Sequence, residues 1–146
     1  MMRAAIFCLI ALGSGAAAQS FSSQGPQGTL GPLDEAPVQR PIAMTCQFDL
    51  ECYEGEACQE TTFEFELKGL AGGLTPDALA AVVDMESDLG NEKLLGTVAG
   101  DVTLLSGGAV QARHMLSMSG QAARYTLHFS DGPVVISYLG ACEASE

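Results

Sequence analysis

The stretch that most constrains this chain is Thr45 to Lys68, TCQFDLECYEGEACQETTFEFELK. Thr61, Phe63, Phe65 and Leu67 fall on one side of it, and Thr62, Glu64, Glu66 and Lys68 on the other. A period of two with one apolar side describes a strand that faces a core with one face and water with the other. Just upstream, Met44, Cys46, Phe48 and Leu50 alternate in the same way with Thr45, Gln47, Asp49 and Glu51. Tyr53-Glu54-Gly55-Glu56 would join the two strands as a hairpin. If Cys52 lies opposite Cys58, Phe48 falls opposite Thr62 and the two apolar faces disagree by one residue. A one-residue slip turns a strand inside out, so a bulge or irregular turn is expected near Gly55.

The hairpin holds three of the five cysteines, which makes the redox compartment the next question. The chain opens with Arg3, a short apolar run from Ala4 to Leu12, and small residues ending in Ala16-Ala17-Ala18. A positive start, a short apolar core and an Ala-x-Ala end describe a secretory signal peptide, residues 1–18, cleaved after Ala18. The run is too short for an ordinary transmembrane helix, and no later segment is long and apolar enough for one. Cys8 would leave with the signal. Ala5-Ile6-Phe7 before it does not fit the small-residue pattern of a lipidation site. Export places the protein in the periplasm or outside the cell.

Four cysteines then remain, Cys46, Cys52, Cys58 and Cys142, and an even number in an exported chain implies two disulfides. Cys46 and Cys52 on one straight strand would lie about 20 Å apart, too far to bond. The favoured pairing is Cys52–Cys58, a short local loop, with Cys46–Cys142 tying the first strand to the last. Parity supports the long bond: Cys46 shares a face with Met44 and Phe48, and Cys142 with Val134, Ile136 and Tyr138. Zinc is the rival reading, but no C-x-x-C spacing and no nearby histidine support it.

Residues 19–42 are rich in Gln, Ser, Gly and Pro without apolar periodicity and read as a disordered leader. A single β domain is expected over residues 43–143. After the Gly69–Gly73 loop, Thr75-Pro76-Asp77 resembles a helix start, and Leu79, Val82, Val83, Glu86 and Leu89 follow at helical spacing. One short helix over residues 76–89 is preferred. The β-branched pair in Ala81-Val82-Val83 keeps a strand as the alternative. From Leu94 the pattern is a meander. Pairing Leu104 with Val110, Val102 with Ala112 and Val98 with Leu116 keeps the apolar faces together across a Ser106-Gly107-Gly108 turn. His114, Leu116 and Met118 would face inward, and His128 outward. Around Asp131-Gly132, Phe129 would meet Val134, Leu127 Ile136, and Tyr125 Tyr138. The fold class is therefore mainly β: an antiparallel meander closing as a small barrel or a sandwich, with two disulfides.

Charge and motifs narrow the chemistry. Eighteen carboxylates against six Lys and Arg give a formal net charge of −12, which repels nucleic acid and anionic lipid and suits a basic partner. Asp49, Glu51, Glu54, Glu56, Glu60, Glu64 and Glu66 crowd the first hairpin. Asp49, Glu51, Glu64 and Glu66 would form an outward acidic face able to meet a cationic protein. A solvated surface that discourages edge pairing is the plainer reading. Ca²⁺ is the nearest cofactor candidate. However, the Asp84–Leu95 stretch lacks the Gly at the sixth position and the Glu at the twelfth that a calcium loop needs. No G-x-S-x-G elbow, free mature thiol or phosphate-binding glycine motif is present, so no catalytic residue, cofactor or enzyme activity is expected.

The signal segment, the Cys46 strand and the closing Tyr138-Leu139-Gly140-Ala141-Cys142 resemble small exported bacterial β proteins of unknown function. Joining first strand to last by a disulfide also resembles the periplasmic barrels that inhibit lysozyme. The inhibitory motif of that family has no counterpart here, so no site carries over. By analogy an acidic exported barrel would suit a basic enzyme as partner, and the function expected of the chain is that of an exported, non-catalytic β module that binds a protein or envelope component. The alternative is a small-ligand carrier with an enclosed apolar cavity.

Overall fold

The computed structural model describes residues 32–132 and 134–145; the expected signal peptide, residues 1–18, and residues 19–31 of the expected leader lie outside them. After a short 3₁₀ turn, Leu33–Glu35, the strands follow in order: β1 (Val38–Tyr53), β2 (Gln59–Glu60), β3 (Glu64–Thr75), β4 (Ala78–Ser87), β5 (Gly90–Ala99), β6 (Val102–Gly108), β7 (Ala112–Ser119), β8 (Ala122–Phe129) and β9 (Val134–Ala144). Every pairing is antiparallel. β1 and β3 to β9 pair in sequence, and β1 pairs again with β9, which closes an eight-stranded barrel. β2 is a two-residue ribbon on the far end of β1. Closure removes the free edges that an open meander would expose.

β1 carries the closure. Its residues Val38–Gln47 pair with β3, and Met44–Tyr53 pair with β9. At this seam Cys46 stands opposite Cys142 and bonds to it, while Cys52 bonds to Cys58 in the loop that leads to β2. Two disulfides mark a chain that folds in an oxidising, non-cytoplasmic setting.

The first hairpin does contain the one-residue irregularity, but at Asp49 rather than near Gly55. Gln47 pairs with Glu64 while Leu50 pairs with Glu60, and the β1–β9 register shifts between Phe48 and Leu50 as well. The extra residue sits where β1 must bend between two partners. Parity inverts beyond it, so Leu50 turns outward and Glu51 turns inward to stand opposite Tyr138.

Three other expectations are corrected. Residues 78–87 of the expected helix form strand β4, with Leu79, Ala81, Val83 and Met85 in the core. Strand partners on both sides outweigh the helical spacing. The β6–β7 register places Leu105 opposite Leu116 and Val102 opposite Ser119. Leu104 is 51% exposed and Leu105 only 3%, so the inward face is the other one. Ser106-Gly107-Gly108 is strand, not turn. Gly107 is needed because a Cβ there would lie 2.2 Å from the Lys93 carbonyl oxygen. Finally, order begins before residue 43. β1 starts at Val38, and Pro41 fits within it because the first part of β1 pairs on one side only.

The last hairpin has the expected register: Phe129 opposite Val134, Leu127 opposite Ile136, and Tyr125 opposite Tyr138. Its aromatic pair joins Phe48, Phe63 and Phe65 in one interior cluster, with ring centroids 4.7 Å apart for Phe63–Tyr138 and 5.2 Å for Phe65–Tyr125. This cluster fills the half of the barrel nearest the β4–β5, β6–β7 and β8–β9 turns. Toward the opposite end, the inward side chains include Ala71, Ala81 and Ala123, so the interior thins out.

Candidate functional site

Three places on the barrel gather polar or unfilled surface: the aromatic end, the outer wall of β1, β3 and β4, and the open end where β1 begins. At the aromatic end, His114 lies on the inward face of β7, buried beside Tyr125 of β8. The Nδ1 atom of His114 is 2.6 Å from the Tyr125 hydroxyl, and its Nε2 is 3.9 Å from a Glu92 carboxylate oxygen. Burial lowers the His114 pKa, with only partial opposition from the Glu92 carboxylate. The neutral ring then accepts the Tyr125 proton on Nδ1 and turns its own N–H toward Glu92. Burial raises the Tyr125 pKa. It also pushes Tyr138 up to about 12, with the adjacent Glu51 carboxylate adding to the shift. Gly108, at φ +91°, lies against the imidazole; a Cβ there would come within 2.5 Å of the ring. The pair is thus a satisfied hydrogen bond inside a packed aromatic cluster. His128 is exposed on the other face of β8, so the two histidines do not meet.

The acidic face is rearranged relative to the sequence expectation. Asp49, Glu64 and Glu66 are exposed, but the shift at Asp49 takes Glu51 out of the group and turns it inward. Strand pairing brings in other carboxylates. Glu86 stands opposite Glu66, and Glu143 stands opposite Thr45, whose other partner is Glu66. Thr45, Glu64, Glu66, Glu86 and Asp88 border a shallow, open groove. The wall also holds cations. Lys68 Nζ is 2.6 Å from Glu66 and 3.3 Å from Glu86, and Lys93 is paired with Asp84. Hydrogen bonds that Lys68 donates to Glu66 and then to Glu86 raise its pKa. Exposed pairs of this kind are screened by solvent and leave the wall net negative. Among the described residues, no group of three or more His, Cys, Asp or Glu is placed to hold a metal ion.

At the open end a recess of about 250 Å³ enters the barrel between β1 and the β5–β6 and β7–β8 turns. Ile42, Met44, Val98, Leu105 and Met118 line it, with Thr103 among them and Arg40 at the rim. The sequence does not announce this site, because Pro37 and Pro41 make residues 38–42 read as part of the leader. The signal was there: Arg40, Ile42, Met44 and Cys46 continue the alternation of β1 upstream. A second depression, of about 440 Å³, lies on the outer wall of β5–β7, around Leu95, Leu104 and Met115 with Arg124. Among the described residues, no helix is long and apolar enough to cross a membrane. No family model, curated protein or solved structure matches the chain.

Proposed function

We propose that this is an exported, non-catalytic β-barrel module that binds a basic protein or envelope component through its outer wall. The observation that carries this reading is the filled interior. Five aromatic rings occupy one half of the barrel and the His114–Tyr125 bond is sealed among them, so apart from the open-end recess the accessible surface is the outer wall. The wall around Glu64, Glu66, Glu86, Asp88 and Glu143 gathers negative charge in a chain of net charge −12. Such a field steers a cationic partner and sets its orientation. The signal segment and the two disulfides support an exported setting, periplasmic or extracellular.

The test starts with the disulfide-bonded chain immobilised and exposed to a native exported fraction at low and at high salt. A retained basic protein is identified, and its affinity is measured against a Glu64→Gln, Glu66→Gln, Glu86→Gln variant. The expected result is a loss of about tenfold or more at low salt, with a flatter salt dependence. Affinity and salt slope unchanged in the variant would refute the acidic wall as the binding surface. A carrier with an enclosed cavity is disfavoured by the aromatic filling, and the open-end recess is what remains of the small-ligand alternative.

A further inference from the structure

We propose that the open-end recess is a binding site for a single-chain amphiphile with one carboxylate, its tail among Ile42, Val98, Leu105 and Met118 and its head on Arg40. This goes beyond the protein-binding reading and does not depend on it. Three observations carry the assignment. First, the recess has an apolar floor built from inward side chains of β1, β5, β6 and β7, which a hydrocarbon chain would cover at a gain for each methylene buried. At about 250 Å³ it is below the usual range for drug-sized ligands and suits a short or medium chain.

Second, Arg40 has the inward register. It stands opposite Ala71, which is fully buried, just as Ile42 and Met44 stand opposite Gly69 and Leu67. An inward-register cation at the mouth of an apolar recess is unusual, because such positions are normally filled by apolar or small side chains. Third, the ion pairs of the described residues involve Lys68, Lys93 and His114, and Arg40 forms none of them. Arg113 and Arg124 form none either, so what sets Arg40 apart is its inward register at the mouth of the recess. Arg is also the cation that binds a carboxylate through two parallel N–H donors. Because Arg40 is the one charged group lining the recess among the described residues, the site fits a monoanion rather than a phosphate dianion. Thr103 supplies a hydroxyl within the same lining.

The experiment titrates the disulfide-bonded protein with octanoate, 1-octanol and octyltrimethylammonium by isothermal titration calorimetry. Octanoate is expected to bind at one site, about tenfold tighter than octanol, with the cation weakest. Arg40→Gln should reduce octanoate affinity about tenfold and leave octanol unchanged. Thr103→Phe, which fills the recess, should abolish both. In the unmodified protein, octanoate should shift the methyl NMR signals of Ile42 and Met118 and leave those of Leu104 and Met115 in place. This readout stands even if Thr103→Phe fails to fold. No saturable heat from octanoate, full affinity in Arg40→Gln, or shifts at Leu104 and Met115 instead of the recess would each overturn the proposal. The last result would place any amphiphile on the outer wall.

Discussion

Replacing Cys46 and Cys142 together by Ala should cost this barrel far more than replacing Cys52 and Cys58. The long bond spans 96 residues and the short one 6. In the chain-entropy picture, closing loops of those lengths in the unfolded chain is worth about 4.7 and about 2.2 kcal/mol. Cys46 and Cys142 are also buried at the seam, so losing their sulfurs adds about 1 kcal/mol of packing, whereas Cys58 is exposed. A single domain is typically stable by about 5–15 kcal/mol, so the long-bond variant would lose a third or more of its margin. With a urea m-value of about 1.5 kcal/mol/M, its midpoint should fall by about 4 M, against about 1.5 M for the short-bond variant. Equilibrium urea unfolding of the three proteins, followed by far-UV circular dichroism, measures both shifts. Removing cysteines in pairs avoids leaving a thiol to mispair. If the long-bond variant keeps a midpoint equal to or above that of the short-bond variant, loop closure at the seam does not set the stability and the reasoning fails.

Other outcomes follow from the interior. His114 has a lowered pKa, so the unfolded chain takes up a proton first as pH falls. Its contribution is complete above about pH 6.5 and is lost below that, which a urea midpoint series from pH 7.5 to 4.5 would detect. His114→Gln should flatten that part of the series. Tyr138 has a raised pKa, so unfolding releases its proton first, and stability should decline from about pH 10 toward its folded value of about 12. Tyr125→Phe leaves His114 Nδ1 without its partner and should cost about 1–3 kcal/mol in thermal or urea unfolding. Lys68→Ala, at a solvent-exposed ion pair, should leave the Tm unchanged within error, which thermal melts will check.

What could be read from the chain depended on how clearly two faces differ. Phe129, Leu127 and Tyr125 against Val134, Ile136 and Tyr138 allow a single register, because any slip would put aromatic rings in water. In residues 78–87 the inward side chains include Ala81, too small to announce a face, while Val82 on the outer face is as apolar as the core. Periodicity then favours the wrong element. Leu104 and Leu105 pose the same problem as adjacent equals, and only the approach of the Lys93 backbone to Gly107 decides between them. The conflict of faces in the first hairpin did announce a bulge. Its place at Asp49 is set by β1 serving β3 and β9 at once, and alternation along one strand cannot reveal that. Glu51 was therefore assigned to the wrong face, and Arg40 was hidden behind prolines that suggested a leader.

The seam between β1 and β9 also orders events in time. Every other pairing in the ring joins strands that follow one another around the barrel, so hairpins from β3 to β9 can pair as the chain emerges. The ring itself waits for the final strand, since Cys46 meets its partner only when residue 142 has arrived. Until then β1 and the most recent strand are open edges, able to pair with a neighbouring chain. Completion of the ring, more than collapse of its core, is the step that commits this chain to a closed barrel.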